Sequence, residues 1–158
     1  MRHITLLPLC FLFVLACKQD PTSHYKPLDL MPHGIPITIQ APPNATVKVS
    51  DLTVMKDITV KKDPDFYIQI YSSMASSKDL PSLKKEYLEE VKQNPYFSKI
   101  IEDKTNGFIY EKQVDSTMSY AFKYIYVQGD REYTFQNGIL GIFDLEQINN
   151  MYKAVQQK

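Results

Sequence analysis

Three closely spaced pairs of acidic residues are the candidates for acid–base chemistry in this chain: Asp63 with Asp65, Glu102 with Asp103, and Asp130 with Glu132. Two carboxyl groups in different environments can share the roles of general acid and general base. In glycosidases, however, the paired carboxylates come from distant positions, and neighbouring acids in turn-rich sequence are usually solvated. The spacing therefore predicts solvated acids, and no enzyme of the acid-pair type.

Nucleophilic and metal chemistry have few candidate residues after position 35. The chain has cysteine only at Cys10 and Cys17, and histidine only at His3, His24 and His33. A serine or cysteine nucleophile needs a nearby base, usually histidine, and structural zinc needs cysteine and histidine ligands at fixed spacing. The five glycines are scattered and form no phosphate-binding loop. We therefore expect a protein that is not an enzyme and that uses no metal or dissociable cofactor.

Cys17 is the one residue whose surroundings indicate a specific chemical modification. The basic start Met1-Arg2-His3 precedes an uncharged stretch, Ile4 to Ala16, that has the length of a secretory h-region. That stretch is too short to cross a bilayer, which takes about 20 apolar residues. The sequence Val14-Leu15-Ala16-Cys17 resembles the bacterial lipobox, in which the cysteine becomes the first residue after cleavage. The resemblance implies a signal peptide over residues 1–16 and a covalent lipid on Cys17; an ordinary secreted protein cut nearby is the alternative.

The lipobox resemblance also implies a location and a first partner. Lipoproteins kept at the inner membrane commonly carry Asp directly after the cysteine, whereas this chain has Lys18. We therefore expect an outer-membrane lipoprotein of the bacterial cell envelope that faces the periplasm. Export to the cell surface is the alternative, although Asp20 alone matches an acidic export signal poorly. The mature chain would carry 17 basic and 18 acidic residues, a balance that does not indicate a nucleic-acid partner.

Composition divides the mature chain into a tether and one domain. Residues 17–35 contain Pro21, Pro27 and Pro32 without a helical or alternating apolar pattern, which predicts an extended linker after the lipidated cysteine. Residues 36–158 are enough for one globular domain. Alternating apolar residues predict strands in IPITIQAPP, ATVKVSDLTVMKDITVKK and FYIQIYSS, with Lys56-Asp57 as the turn of the second segment.

Two segments have helical periodicity. In DLPSLKKEYLEEVKQNP, apolar residues recur along one stripe, with Asp79 as the N-cap. In FDLEQINNMYKAVQQK, Asp144 and Gln147 form a capping-box pair before a second apolar stripe. Between these helices, GFIYEKQV is a predicted strand, and the remaining strands surround a hairpin turn at Gly129-Asp130.

The predicted hairpin brings five aromatic residues onto one sheet face. Its register pairs Tyr124 with Phe135, Tyr126 with Tyr133 and Val127 with Glu132. Two interpretations follow: the aromatic residues form the core under the C-terminal helix, or part of the face is open to an apolar ligand or partner. The residues of this aromatic face are Phe122, Tyr124, Tyr126, Tyr133 and Phe135.

The order of elements predicts an α+β domain in which a curved antiparallel sheet carries two amphipathic helices. PITIQAPP, SLKKEYLEEV, GFIYEK, YAFKYIYVQGDREYTF and MYKAV occur in an order that resembles the Mog1/PsbP-like fold. Many bacterial lipoproteins of that fold have no enzymatic activity, so the resemblance implies a non-catalytic interaction or accessory module that docks on an envelope protein. The alternative is a carrier or chaperone that holds a lipid or another hydrophobic ligand on the aromatic face.

Overall fold

The structure is a computed structural model that describes residues 20–157; the predicted leader and Cys17 lie outside the described residues. The elements of the described chain are β1 (Lys26–Asp29), a 3-10 helix (Met31–His33), β2 (Thr38–Ala41), β3 (Thr46–Leu52), β4 (Met55–Lys62), β5 (Phe66–Met74), α1 (Leu80–Lys92), β6 (Phe97–Lys104), β7 (Gly107–Val114), β8 (Thr117–Gln128), β9 (Arg131–Asn137) and α2 (Leu145–Val155).

Seven strands form one open sheet in the order β3-β4-β5-β9-β8-β7-β6, and every neighbouring pair is antiparallel. The strands β1 and β2 form a separate antiparallel pair. The helices lie on opposite faces of the large sheet: α2 packs on the face that carries Phe122 and Tyr124, and α1 on the face that carries Lys123 and Glu132. The predicted α+β fold with an antiparallel sheet and two packed helices is confirmed.

The predicted helix starts are confirmed in position, but the Asp79 side chain does not cap α1: its carboxylate accepts a hydrogen bond from the Ser82 hydroxyl and none from the helix backbone. Helix α1 follows Asp79 and has Pro81 in its first turn, where a missing N–H breaks no helical hydrogen bond. At α2, the Gln147 backbone N–H donates to Asp144 Oδ1 at 2.8 Å, and the Asp144 N–H donates to Gln147 Oε1 at 2.9 Å. This is the predicted capping box, and it satisfies two of the donors that a helix start leaves free.

The predicted β8–β9 register is also confirmed. Tyr124 pairs with Phe135, Tyr126 with Tyr133 and Val127 with Glu132. Gly129 has a φ of +66°, a backbone conformation that glycine adopts without the steric cost of a side chain.

Two features of the sheet differ from the prediction. The β3–β4 turn lies at Thr53 and Val54, and Lys56 and Asp57 belong to β4, so the predicted turn was wrong. Ile58 and Val60, which follow these two polar residues in β4, are buried on the core side. Strand β6 was not predicted because two register irregularities interrupt its alternation of inward and outward side chains.

Residues 20–35, predicted as part of a tether, instead belong to the folded domain. Strand β1 pairs with β2, so that Leu28 lies opposite Ile39. Leu30 and Ile35 are buried in the main core. The prolines are compatible with this structure because Pro27 lies in a two-stranded ribbon and Pro32 in the first turn of the 3-10 helix. Among the described residues, the folded domain therefore includes β1 and the 3-10 helix, and the predicted boundary at residue 36 was placed too late.

Candidate functional site

The predicted lipidation site, Cys17, lies outside the described residues, but the nearby chain is held against α2. The Asp20 carboxylate forms an ion pair with Lys153 and accepts a hydrogen bond from the Thr22 backbone N–H at 2.9 Å. Hydrogen bonds from Lys153 and then Thr22 hold the pKa of Asp20 well below its usual value. The chain therefore enters the domain beside its C-terminal helix.

The aromatic face is a core layer that α2 covers. The ring of Tyr152 makes edge-on contacts with Phe122 and Tyr124, with ring centroids 5.8 and 5.7 Å away. Tyr124 also packs on Phe135, its partner across the hairpin, at 5.5 Å. Such pairs add to the stability that apolar burial provides.

Solvent reaches only one of the five aromatic side chains to a substantial degree. Phe122, Tyr124, Tyr133 and Phe135 are each no more than 3% exposed, whereas Tyr126 is half-buried. A ligand would therefore contact Phe122 and Tyr124 only if α2 moved, and Tyr133 and Phe135 only if the surrounding core opened. The ligand or partner face remains a prediction, and it requires such a displacement.

The three acidic pairs are separated by their surroundings. Asp63 pairs with Lys61 at 2.9 Å, and Asp65 accepts a hydrogen bond from Gln147 Nε2 at 2.7 Å. Asp103 pairs with Lys84 at 2.5 Å.

The acids of the second and third pairs likewise have different partners. Glu102 is bound by Lys104, apart from the partner of Asp103. Glu132 is buried under α1, whereas Asp130 is exposed at the hairpin turn. In no pair do both acids share one cation, which is consistent with separate structural roles.

A buried polar cluster on the opposite face was missed by the sequence analysis. The Tyr87 hydroxyl, on α1, donates a hydrogen bond to the buried carboxylate of Glu132. Thr134 Oγ1 donates to the Tyr87 oxygen at 3.1 Å. The Lys123 ammonium lies 4.8 Å from the Tyr87 ring centroid and 3.9 Å from Glu90 Oε1. The sequence does contain a signal for this cluster: side chains alternate between the two faces of the β8–β9 hairpin, so Lys123 and Glu132 face away from the aromatic residues.

The electrostatics of this cluster favour a structural role. Burial, followed by the hydrogen bond to Glu132, raises the pKa of the Tyr87 hydroxyl above its usual value. Burial lowers the pKa of Lys123, although Glu90 and Glu132 act in the opposite direction. Lys123 also lies beside the last turns of α1, where a cation complements the helix dipole. The cluster joins α1 to the sheet through the hydrogen bond between Tyr87 and Glu132.

Two cavities adjoin these regions. The larger, of about 540 Å³, is lined by Pro21, His24, Asp63 and Asp144 among others, at the end of the sheet where α2 begins. A second cavity, of about 270 Å³, opens at the edge of the aromatic core beside Tyr124. It is smaller than the roughly 300–1,000 Å³ typical of small-molecule sites.

No family model, curated protein or solved structure matches this chain. Among residues 20–157, no three or more histidine and acidic residues are grouped so as to hold a metal ion. In the same part of the chain, neither helix has the length and apolar character needed to cross a membrane.

Proposed function

We propose that this chain is a membrane-anchored bacterial envelope lipoprotein whose domain acts as a non-catalytic interaction or accessory module. The observation that carries the proposal is Val14-Leu15-Ala16-Cys17 at the end of a short apolar stretch with a basic start. Lipid on Cys17 supplies the membrane attachment, since each buried CH₂ contributes about 0.8 kcal/mol and two or more chains anchor stably. Lys18 supports location at the outer membrane, facing the periplasm.

The structure bears on the choice between an interaction module and a carrier. A carrier would hold its hydrophobic ligand on the aromatic face, yet four of those five side chains are buried, and α2 packs directly on Phe122 and Tyr124. The cavity beside Tyr124 has a volume of only about 270 Å³. These observations support docking on an envelope protein over ligand transport. The Mog1/PsbP-like resemblance likewise stays a proposal, supported by the antiparallel sheet with helices on its faces.

Intact-mass spectrometry of the protein from its native membrane tests the proposed anchor. The expected product begins at Cys17 and carries a diacylglycerol and an amide-linked acyl chain. Cys10 provides a matched control, because Cys10→Ser makes the same chemical change within the leader. Cys10→Ser should yield the acylated product and Cys17→Ser should not. An unacylated native start would overturn the proposal, and crosslinking in native membranes would then identify any partner of the anchored domain.

A further inference from the structure

Six large apolar side chains are exposed at one end of the seven-stranded sheet. They lie in or next to three connections: the one that follows α1, the β7–β8 turn, which Val114 and Met118 flank as strand residues, and the one that joins β9 to α2. We call this group the apolar end; its members are Tyr96, Val114, Met118, Ile139, Leu140 and Ile142.

Backbone hydrogen bonds hold the three connections side by side. The Gln113 N–H donates to the Tyr96 carbonyl at 2.8 Å, which joins the first connection to the second. The Tyr120 N–H donates to the Phe143 carbonyl at 2.9 Å, which joins the second to the third. The six residues therefore lie at the same end of the sheet, although the sequence separates them by up to 46 positions.

The third connection contributes the most exposed of these side chains. Ile139, Leu140 and Ile142 are 66, 90 and 72% exposed, respectively. The segment Asn137–Phe143 has no charged residue. Single exposed apolar residues are common on protein surfaces, but several together indicate a surface that contacts a partner or a membrane.

The N-terminal chain runs beside α2, the helix that follows the third connection. Pro21 and His24 line a cavity together with Asp144 and Gln147 at the start of that helix, whereas Asp20 pairs with Lys153 in its last turn. Cys17 precedes Asp20 by only three residues, and a fully extended chain of that length spans at most about 10 Å. Lipid on Cys17 would therefore keep the α2 side of the domain close to the bilayer, and the third connection leads directly into that helix.

We propose that the apolar end contacts the bilayer in which Cys17 is anchored, with Ile139, Leu140 and Ile142 inserted at the headgroup boundary. The inference rests on the proposed lipid anchor, and it assigns the bilayer itself as the partner of this surface. Exposed apolar side chains gain by leaving water at such an interface.

The charges beside the apolar end determine which lipid headgroups it can contact. The cavity at that end is lined by Asp63, Asp65, Asp144 and Glu146, against Lys62 in the lining and Lys61, which pairs with Asp63; the acids remain in excess. These carboxylates would repel anionic headgroups, so we expect contact with zwitterionic phospholipid and weaker contact as anionic lipid is added.

Tryptophan fluorescence provides a direct test because the natural chain contains no tryptophan. The full acylated protein carrying Leu140→Trp is reconstituted into phosphatidylcholine vesicles, with or without brominated acyl chains. The matched control is Val54→Trp, since Val54 is 80% exposed but lies in the β3–β4 turn at the opposite end of the sheet. We expect a blue shift and bromine quenching for Leu140→Trp, and neither change for Val54→Trp.

The possible failures can be distinguished from one another. Mass spectrometry of the same sample establishes whether Cys17 is acylated. Acylated protein in which Leu140→Trp is not quenched would overturn the membrane contact and leave the proposed function standing. A blue shift that appears only when envelope proteins are added would also overturn it, in favour of a protein partner. Unacylated Cys17 would overturn both proposals.

Discussion

The phenolic hydroxyl of Tyr87, on α1, donates a hydrogen bond to the buried carboxylate of Glu132, on β9, 45 positions further along the chain. This contact joins α1 to a sheet face that carries the buried apolar residues Phe108 and Ile125 as well as Lys123 and Glu132. The opposite face, under α2, is apolar and aromatic. Helix α1 is therefore attached to the sheet by a buried hydrogen bond in addition to apolar burial.

The first prediction concerns this hydrogen bond. Tyr87→Phe should lower the free energy of unfolding by about 1.5–3 kcal/mol, because it leaves a buried carboxylate without its phenolic donor. Urea titration measures the change. Tyr96→Phe removes the hydroxyl of an exposed tyrosine and should have almost no effect. Equal stability of the two variants would contradict the assignment, whereas adding Glu132→Gln should recover part of the loss.

The second prediction concerns high pH. Burial raises the pKa of Tyr110 to about 12, and also raises the pKa values of Tyr87 and Tyr152 above their usual value. A group with a raised folded-state pKa contributes stability in full below its unfolded pKa, about 10 for tyrosine, and loses it as the pH rises toward the folded value.

Stability should therefore fall as the pH rises above about 10. Ultraviolet absorbance of tyrosinate, followed together with circular dichroism, measures this. The buried tyrosines should ionise as the structure is lost. Complete ionisation of all 11 tyrosines while the native spectrum persists would contradict the prediction.

The third prediction tests whether residues 20–35 belong to the folded domain. Leu30→Ala should cost about 2–5 kcal/mol, the usual loss for a truncated core leucine. Leu140→Ala is the matched control, since Leu140 is 90% exposed, and it should change stability by less than about 0.5 kcal/mol. Denaturant titration compares the two variants. A flexible tether would leave both as stable as the natural protein.

The fourth prediction concerns the start of α2. Asp144→Ala should destabilise the protein by about 0.5–2 kcal/mol because the Gln147 N–H loses its acceptor. Asp144→Ser retains a side-chain oxygen at the cap and should lose less. Thermal unfolding measures both variants, and equal losses would show that the cap hydrogen bond is not the cause.

The fifth prediction separates the two interpretations of the aromatic face. If it is core, Phe122→Ala should cost about 3–5 kcal/mol, and Tyr126→Ala should cost less because Tyr126 is half-buried. Chemical denaturation of the protein without added ligand measures both. Native stability of Phe122→Ala would favour an open ligand face instead.

Much of the fold could be predicted because its signals are local. Hairpin register follows from a two-residue turn, and the α2 start follows from Asp144 and Gln147 three positions apart. Strand β6 was not predictable in the same way, since its bulges interrupt the alternation on which strand prediction depends. The proline content of residues 20–35 suggested a linker. The burial of Leu30 and Ile35 could not be predicted from that segment, because the core that buries them is assembled from distant segments.

The sequence by itself determined the candidate lipid attachment at Cys17, the helical and strand periods, and which aromatic residues share a face. Only the tertiary structure decided that α2 covers this aromatic face, that Tyr87 reaches Glu132, and that three connections form one apolar end. The physical reason is range: caps, turns and periodicity act over a few neighbouring residues. Burial and long-range hydrogen bonds depend on which surfaces meet after the whole chain has folded.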